Sequence, residues 1–305
     1  MIRSLLGVLM VFGILIQCEL PTHAAGKIKV VTSVPDLADL TRQIGGNLVD
    51  VESLATGVED PHGIPMKPSF VPKLARADVV VLMGMENEHA YLPALLDACR
   101  NPKIQPGKLG YIDTSLDLVP LEVPKTLDRS EGEVHPAGNP HYNLDPVQGR
   151  LMVNTIAEGL SRNFPEHEAE FKAGRDAYLV KLDAKIAEWQ ELAKPLRGVK
   201  FISYHNFWPY FSDRYGLIYL GTVELRHGIE PTARHVTEIT ALMKSEHCHL
   251  VVREPQFGER VPNQIAAQSG AKVVKLAIMV GGVPEAKTYL DLIDYNLRTL
   301  LGAIH

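Results

Sequence analysis

Three histidines sit where a chain can present side chains to a ligand: His62 in DPHGIP, His141 in GNPHYNLDP and His205 in FISYHNFWPYF. Pro61 and Pro140 directly precede the first two and stiffen the backbone that carries them. Neutral imidazole nitrogen is a borderline-soft donor. Three such rings meeting at one point would suit Zn²⁺, at about 2.0–2.1 Å per nitrogen. Any one of these histidines alone reads as a hydrogen-bonded loop residue, and only the repetition of context points to a shared ligand. Their separation in the chain settles nothing, because no local motif of the HExxH kind joins them.

Something must bring the three together. Short β-branched runs recur as KIKVVTSV, VDVESLATG, ADVVVLMG and GYIDTS, and again as VKFISYHN, LIYLGTVE, HLVVREP and AKVVKLA. Helical stretches such as PDLADLTRQIGG lie between them. Continuous apolar strands alternating with helices predict parallel sheets covered on both faces, and so two α/β lobes. In open parallel sheets ligands bind at the carboxyl ends of strands. His62 follows the second run and His205 ends the fifth, one from each lobe.

Between the lobes, Asp145-Pro146 reads as an N-cap followed by proline at the first helical position, opening a helix to about Asn163. Pro165 starts another that reaches about Lys194. Phe171, Tyr178, Leu182, Ile186, Trp189 and Ala193 form one apolar stripe along it. Near thirty residues at 1.5 Å each give roughly 40 Å, enough to run the height of a two-lobed molecule. The stripe alone fits a helix between lobes and a packed helix of one lobe equally. Residues 116–140 carry proline, glycine and charge without periodicity and read as a long loop.

Composition sets outer bounds. The chain has 305 residues, is 46% hydrophobic and carries a formal net charge of −5. That balance argues against a nucleic-acid surface, which needs a basic face. The opening MIRSLLGVLMVFGILIQCELPTHAAGK has a positive start at Arg3, a short apolar core from Leu5 to Gln17 and small residues at Ala24 and Ala25. It reads as a secretory signal over 1–25, too short to span a bilayer comfortably. The expected home of the mature chain is the periplasm. Gln17 precedes Cys18 where a lipidation signal wants a small residue, so a lipid anchor through Cys18 is not expected. Cys99 and Cys248 lie far apart, lack CxxC partners and read as free buried thiols.

Here DPHGIPMKPS, GNPHYNLDP, SYHNFWPYF and REPQF occur in that order, and with them the mature chain resembles the solute-binding proteins of zinc and manganese ABC transporters, the ZnuA/TroA-like family. The resemblance runs from KIKVVTSVPDLADLTRQIGG to YLDLIDYNLRTLLGAI. It implies an N-terminal lobe over 26–164, a bridging helix over 165–195, a C-terminal lobe over 196–305 and a metal cleft between the lobes. It also carries metal-ligand roles onto His62, His141 and His205. Manganese binders of the family tend to have a carboxylate at the third position; His205 points to zinc, as ligand chemistry does. The implied partner is an inner-membrane ABC permease, with a metallochaperone as a further one, and the chain is expected to act as a monomer.

One departure stands out. The family usually supplies an aspartate just after the last strand, where this chain has Ala277, Ile278 and Met279. Water or Glu254 is then left for the fourth position, Glu254 having a structural alternative as a hydrogen-bonded carboxylate on the cleft floor. Asp60 and Asp145 read as caps or as partners that orient imidazoles. His135, beside Glu131 and Glu133, reads as part of a solvated loop. His247 and His249 flank Cys248, which should face the core. His227 and His235 read as surface residues, and Glu86, Glu88 and His89 as the cleft rim. Three histidines plus water also resemble a catalytic zinc site. A secreted zinc hydrolase would need a general acid or base, and neither HExxH nor GxSxG is present. An adhesive surface role is a third class, which would need lipidation or an exposed patch.

Overall fold

The structure is a computed structural model that describes residues 26–125, 135–225 and 228–305. The leader, Cys18, Glu131, Glu133 and His227 lie outside the described residues.

Each lobe is built on a four-stranded parallel sheet. The first takes the order β2 (Val49–Ser53), β1 (Ile28–Thr32), β3 (Val79–Leu82), β4 (Tyr111–Asp113). The second repeats it as β6 (Ile218–Thr222), β5 (Lys200–Ser203), β7 (Leu250–Arg253), β8 (Lys272–Lys275). In both, the chain leaves the central strand to one side and returns on the other, which opens a crevice at the carboxyl ends. The central strands are covered on both faces: Val79, Val80 and Val81 are buried throughout, as are Phe201, Ile202 and Ser203. This explains their unbroken apolar runs.

Helices cover the sheets. α1 (Pro35–Gly45), α2 (Phe70–Ala75), α3 (Leu92–Cys99) and α4 (Pro146–Asn163) belong to the first half. α6 (Pro209–Tyr215), α7 (Ala233–Ser245), α8 (Arg260–Ser269) and α9 (Tyr289–Ile304) belong to the second. α4 starts where Asp145 accepts the Val147 amide and proline occupies the first turn. α5 (Glu168–Leu192) has 25 residues, about 37 Å at 1.5 Å per residue. Its buried positions are Phe171, Tyr178, Leu182, Ile186 and Trp189, a single stripe. That stripe packs on α1 and α4 at one end and α9 at the other, and the Trp189 indole donates to Asp294 at 3.1 Å. One hydrophobic core therefore runs through both lobes, from Val30 and Ile44 past α5 to Phe201 and Leu297. Cys99 and Cys248 are both free and buried.

The lobes are also stitched directly. Asn143 donates to Asp36 at 3.1 Å and to the Ile278 carbonyl at 2.9 Å, and Asp36 accepts the Val280 amide at 3.1 Å. Burial pushes the Asp36 carboxyl up to about 7. Gln256 donates to the Gly57 carbonyl at 2.9 Å. Gly57 has φ +95°, and a Cβ there would meet the Val280 carbonyl oxygen at 2.2 Å, so only glycine fits this seam. Among the described residues, no helix is long and apolar enough to cross a membrane.

Candidate metal centre

His62, His141 and His205 meet at the crevice between the lobes. All three are buried, and their donor atoms all lie within 4.8 Å of one another. His62 Nε2 and His141 Nε2 face each other at 3.1 Å. A tetrahedral ion with arms of 2.0–2.1 Å needs nitrogens about 3.3 Å apart and ring centroids about 5 Å apart. The observed centroid separations are 4.9, 5.5 and 5.6 Å. The trio is thus nearly at the spacing one ion requires.

Each ring is held by its own segment. Asp60 accepts the His62 amide at 3.0 Å and its carbonyl accepts the Gly63 amide at 3.1 Å, closing the turn that carries His62. Asn139 does the same for His141, accepting its amide at 2.9 Å, and donates at 3.0 Å to the Asn206 carbonyl. Tyr210 donates to the Asn139 carbonyl at 2.9 Å. The backbone segments bearing His141 and His205 are therefore tied to each other across the cleft. Phe207 lies beneath the trio, 4.4 Å from the His141 ring and 4.3 Å from the His205 ring. Such an apolar floor limits solvent access to the trio.

Glu224, unmarked in the sequence reading, is buried and its carboxylate hydrogen-bonds His205 Nδ1. That bond selects the tautomer and leaves Nε2 as the donor atom. Glu224→Gln keeps the shape but removes the charge. It is expected to lower metal affinity by roughly ten- to a hundredfold, measured by chelator competition.

The other sequence candidates separate clearly. Glu254 is fully buried, accepts the Trp208 indole N–H at 2.6 Å and lies outside the ligand group; burial pushes its carboxyl up to about 8. The Trp208 bond fits the structural alternative, while Oε2 has no hydrogen-bond partner among the described residues. Asp145 caps α4 and pairs with Arg214 through bonds of 2.7 and 2.8 Å, away from the imidazoles. Asp60 fixes the His62 backbone. His135 departs from its reading as a solvated residue: it is half-buried, and its ring lies 4.9 Å from that of His62 and 6.4 Å from that of His141. The loop is drawn back because the Asn139 amide bonds the Leu121 carbonyl and the Leu121 amide bonds Tyr210. His89 is exposed at the rim, 6.4 Å from His135, whereas Glu88 is buried and accepts the Met83 and Gly84 amides. Cys248 faces the core and neither His247 nor His249 joins a ligand group among the described residues. His235 Nε2 donates to the Thr222 carbonyl at 2.9 Å, near α7's start.

Known proteins share this fold. The zinc-binding lipoprotein AdcA of Streptococcus pneumoniae is 25% identical over 94% of this chain, and the chain spans 58% of that relative's length. A zinc-bound crystal structure of a ZnuA deletion mutant superposes with a TM-score of 0.77 at 27% identity, covering 91% of this chain and 98% of that one. The Mn-bound periplasmic metal-binding protein of Candidatus Liberibacter asiaticus shares the fold, with a TM-score of 0.74 at 18% identity over 90% of this chain and 99% of that one. A model of the ZnuA family, described as zinc-uptake complex component A, periplasmic, matches residues 30–303. The chain belongs to that family.

Proposed function

We propose that this chain is an extracytoplasmic solute-binding protein that captures a divalent metal ion, Zn²⁺ above others, between His62, His141 and His205 and delivers it to an ABC permease. The observation that carries the reading is the trio itself: three buried imidazoles at near-tetrahedral spacing, with no carboxylate among them. Nitrogen donors favour Zn²⁺, whereas Mn²⁺ prefers oxygen. A manganese reading would need a carboxylate in the set, and Glu224, the acid nearest in role, is committed to His205 Nδ1. The names of the relatives, zinc-binding and zinc-uptake proteins, support the same ion.

The ion is cargo and undergoes no chemistry. Residues 26–164 and 196–305 act as the two lobes, with 165–195 bridging them. His62 and His141 come from the first and His205 from the second, so a small displacement of one lobe opens the site. Release then follows from docking on the permease, which relaxes that geometry. The leader over 1–25 places the protein in the periplasm, where it works as a monomer.

Cells lacking this chain are expected to lose uptake of radioactive zinc at limiting concentration. The wild-type gene should restore it, and His205→Ala should not. Full restoration by the alanine variant would contradict the reading.

A further inference from the structure

Three imidazoles fill three of the four positions around a tetrahedral ion, and the fourth must be supplied. Of the nearby acids, Glu224 hydrogen-bonds His205, Asp36 accepts from Asn143 and Val280, and Glu254 accepts the Trp208 N–H through Oε1 and lies outside the ligand group, its Oε2 having no hydrogen-bond partner among the described residues. The end of the last strand brings only Ile278 and Met279, both buried.

Those two side chains, with Pro61, Asn87, His141 and Phe207, line a cavity of about 10 Å³. That is room for about one water molecule and too little for a carboxylate or a bicarbonate. Asn87 is 2% exposed, and its Nδ2 has no hydrogen-bond partner among the described residues. A buried amide N–H left unsatisfied costs about 1–3 kcal/mol, a cost that an oxygen seated in the cavity removes.

The backbone is strained where it delivers Asn87. Gly84, Met85 and Glu86 have φ of +78°, +52° and +62°, three successive left-handed residues of which two are not glycine. Glu88 holds the turn by accepting the Met83 amide at 2.7 Å and the Gly84 amide at 3.2 Å, and the Asn87 amide bonds the Gly84 carbonyl at 3.0 Å. Strain of this kind persists where the surrounding structure fixes a position that is used.

We infer that Asn87 holds the fourth ligand of the bound ion, a single water-sized oxygen donor seated in the cavity beside His141. The oxygen gives one lone pair to the ion and accepts the Asn87 N–H with another. This rests on the three-imidazole reading above and adds to it a residue that sets the exchangeable position.

Co²⁺ is the probe, because its visible absorption reports coordination number and ligand exchange. Asn87→Leu fills the volume without a donor. It should still bind one ion per chain, with zinc affinity lowered roughly tenfold and an altered Co²⁺ spectrum. Asn87→Ala enlarges the cavity and should make the Co²⁺ spectrum respond to azide, which the wild-type cavity is too small to admit. Wild-type affinity and spectrum in the leucine variant would overturn the inference. So would a wild-type spectrum as sensitive to azide as that of the alanine variant. A wild-type chain that takes up no ion at all would contradict the three-imidazole reading instead.

Discussion

His205→Ala is expected to weaken zinc binding by roughly a hundred- to a thousandfold, read by competition with a chelator of known affinity. A structural zinc site with four ligands is worth about 10–16 kcal/mol, or about 2.5–4 kcal/mol per ligand, and each 1.4 kcal/mol is about tenfold in affinity. His205 is the only one of the trio from the C-terminal half, so its loss also uncouples the ion from that lobe. The fold should survive the change, because the segment stays anchored by Ser203 Oγ donating to the His205 carbonyl at 2.6 Å and by Asn139 donating to the Asn206 carbonyl at 3.0 Å. Glu224 would be left buried without its imidazole, which costs stability on the order of 1–3 kcal/mol. Unchanged melting with unchanged affinity would mean that His205 neither binds the ion nor matters to the cleft.

Acidification should separate binding from folding. Protons and metal compete for the same imidazole lone pairs, and ordinary imidazoles titrate near 6.5. Zinc affinity is therefore expected to fall as the pH drops, because each imidazole must be neutral to bind. Buried carboxyls pull the other way on the metal-free fold. Burial pushes Asp36 and Glu88 up to about 7 and Glu254 up to about 8, from ordinary values of 3.8 and 4.5. The folded chain thus holds protons that the unfolded chain has released. Stability from these groups is fully present below about pH 4 and is lost as the pH rises through 7 to 8. Glu254→Gln fixes the neutral form and still accepts the Trp208 N–H. Its melting temperature relative to wild type should climb by several degrees between pH 5 and pH 8. A constant difference across that range would show that Glu254 is ionised throughout. A zinc affinity that stays flat from pH 8 to 5 would argue against imidazole ligation.

Much of this arrangement was legible in the chain. All eight β-branched runs became strands, and the central ones are continuous and apolar because they are buried on both faces. The stripe from Phe171 to Trp189 was visible because helical periodicity is local. That His62, His141 and His205 meet followed from their family motifs and strand ends. Glu224 was not marked, since its partner is set by sheet order. β5 pairs with β6 and places Ser203 beside Thr222, so residues two beyond each, His205 and Glu224, come side by side. The signal was an acid closing LIYLGTVE, readable only once the two strands are known to be neighbours. His135 escaped for a related reason: a loop without periodicity gives no hint that Asn139 and Tyr210 pull its end back onto His62. Asn87 sits in a turn whose left-handed residues carry no sequence mark beyond Gly84.

The most direct test of the three-imidazole site is metal stoichiometry under competition. Mature protein, stripped by chelator and offered equimolar zinc and manganese, should carry one zinc per chain in native mass spectrometry, and His205→Ala should lose most of it. Manganese on the wild-type chain, or zinc retained in full by the alanine variant, would contradict a nitrogen site built from His62, His141 and His205.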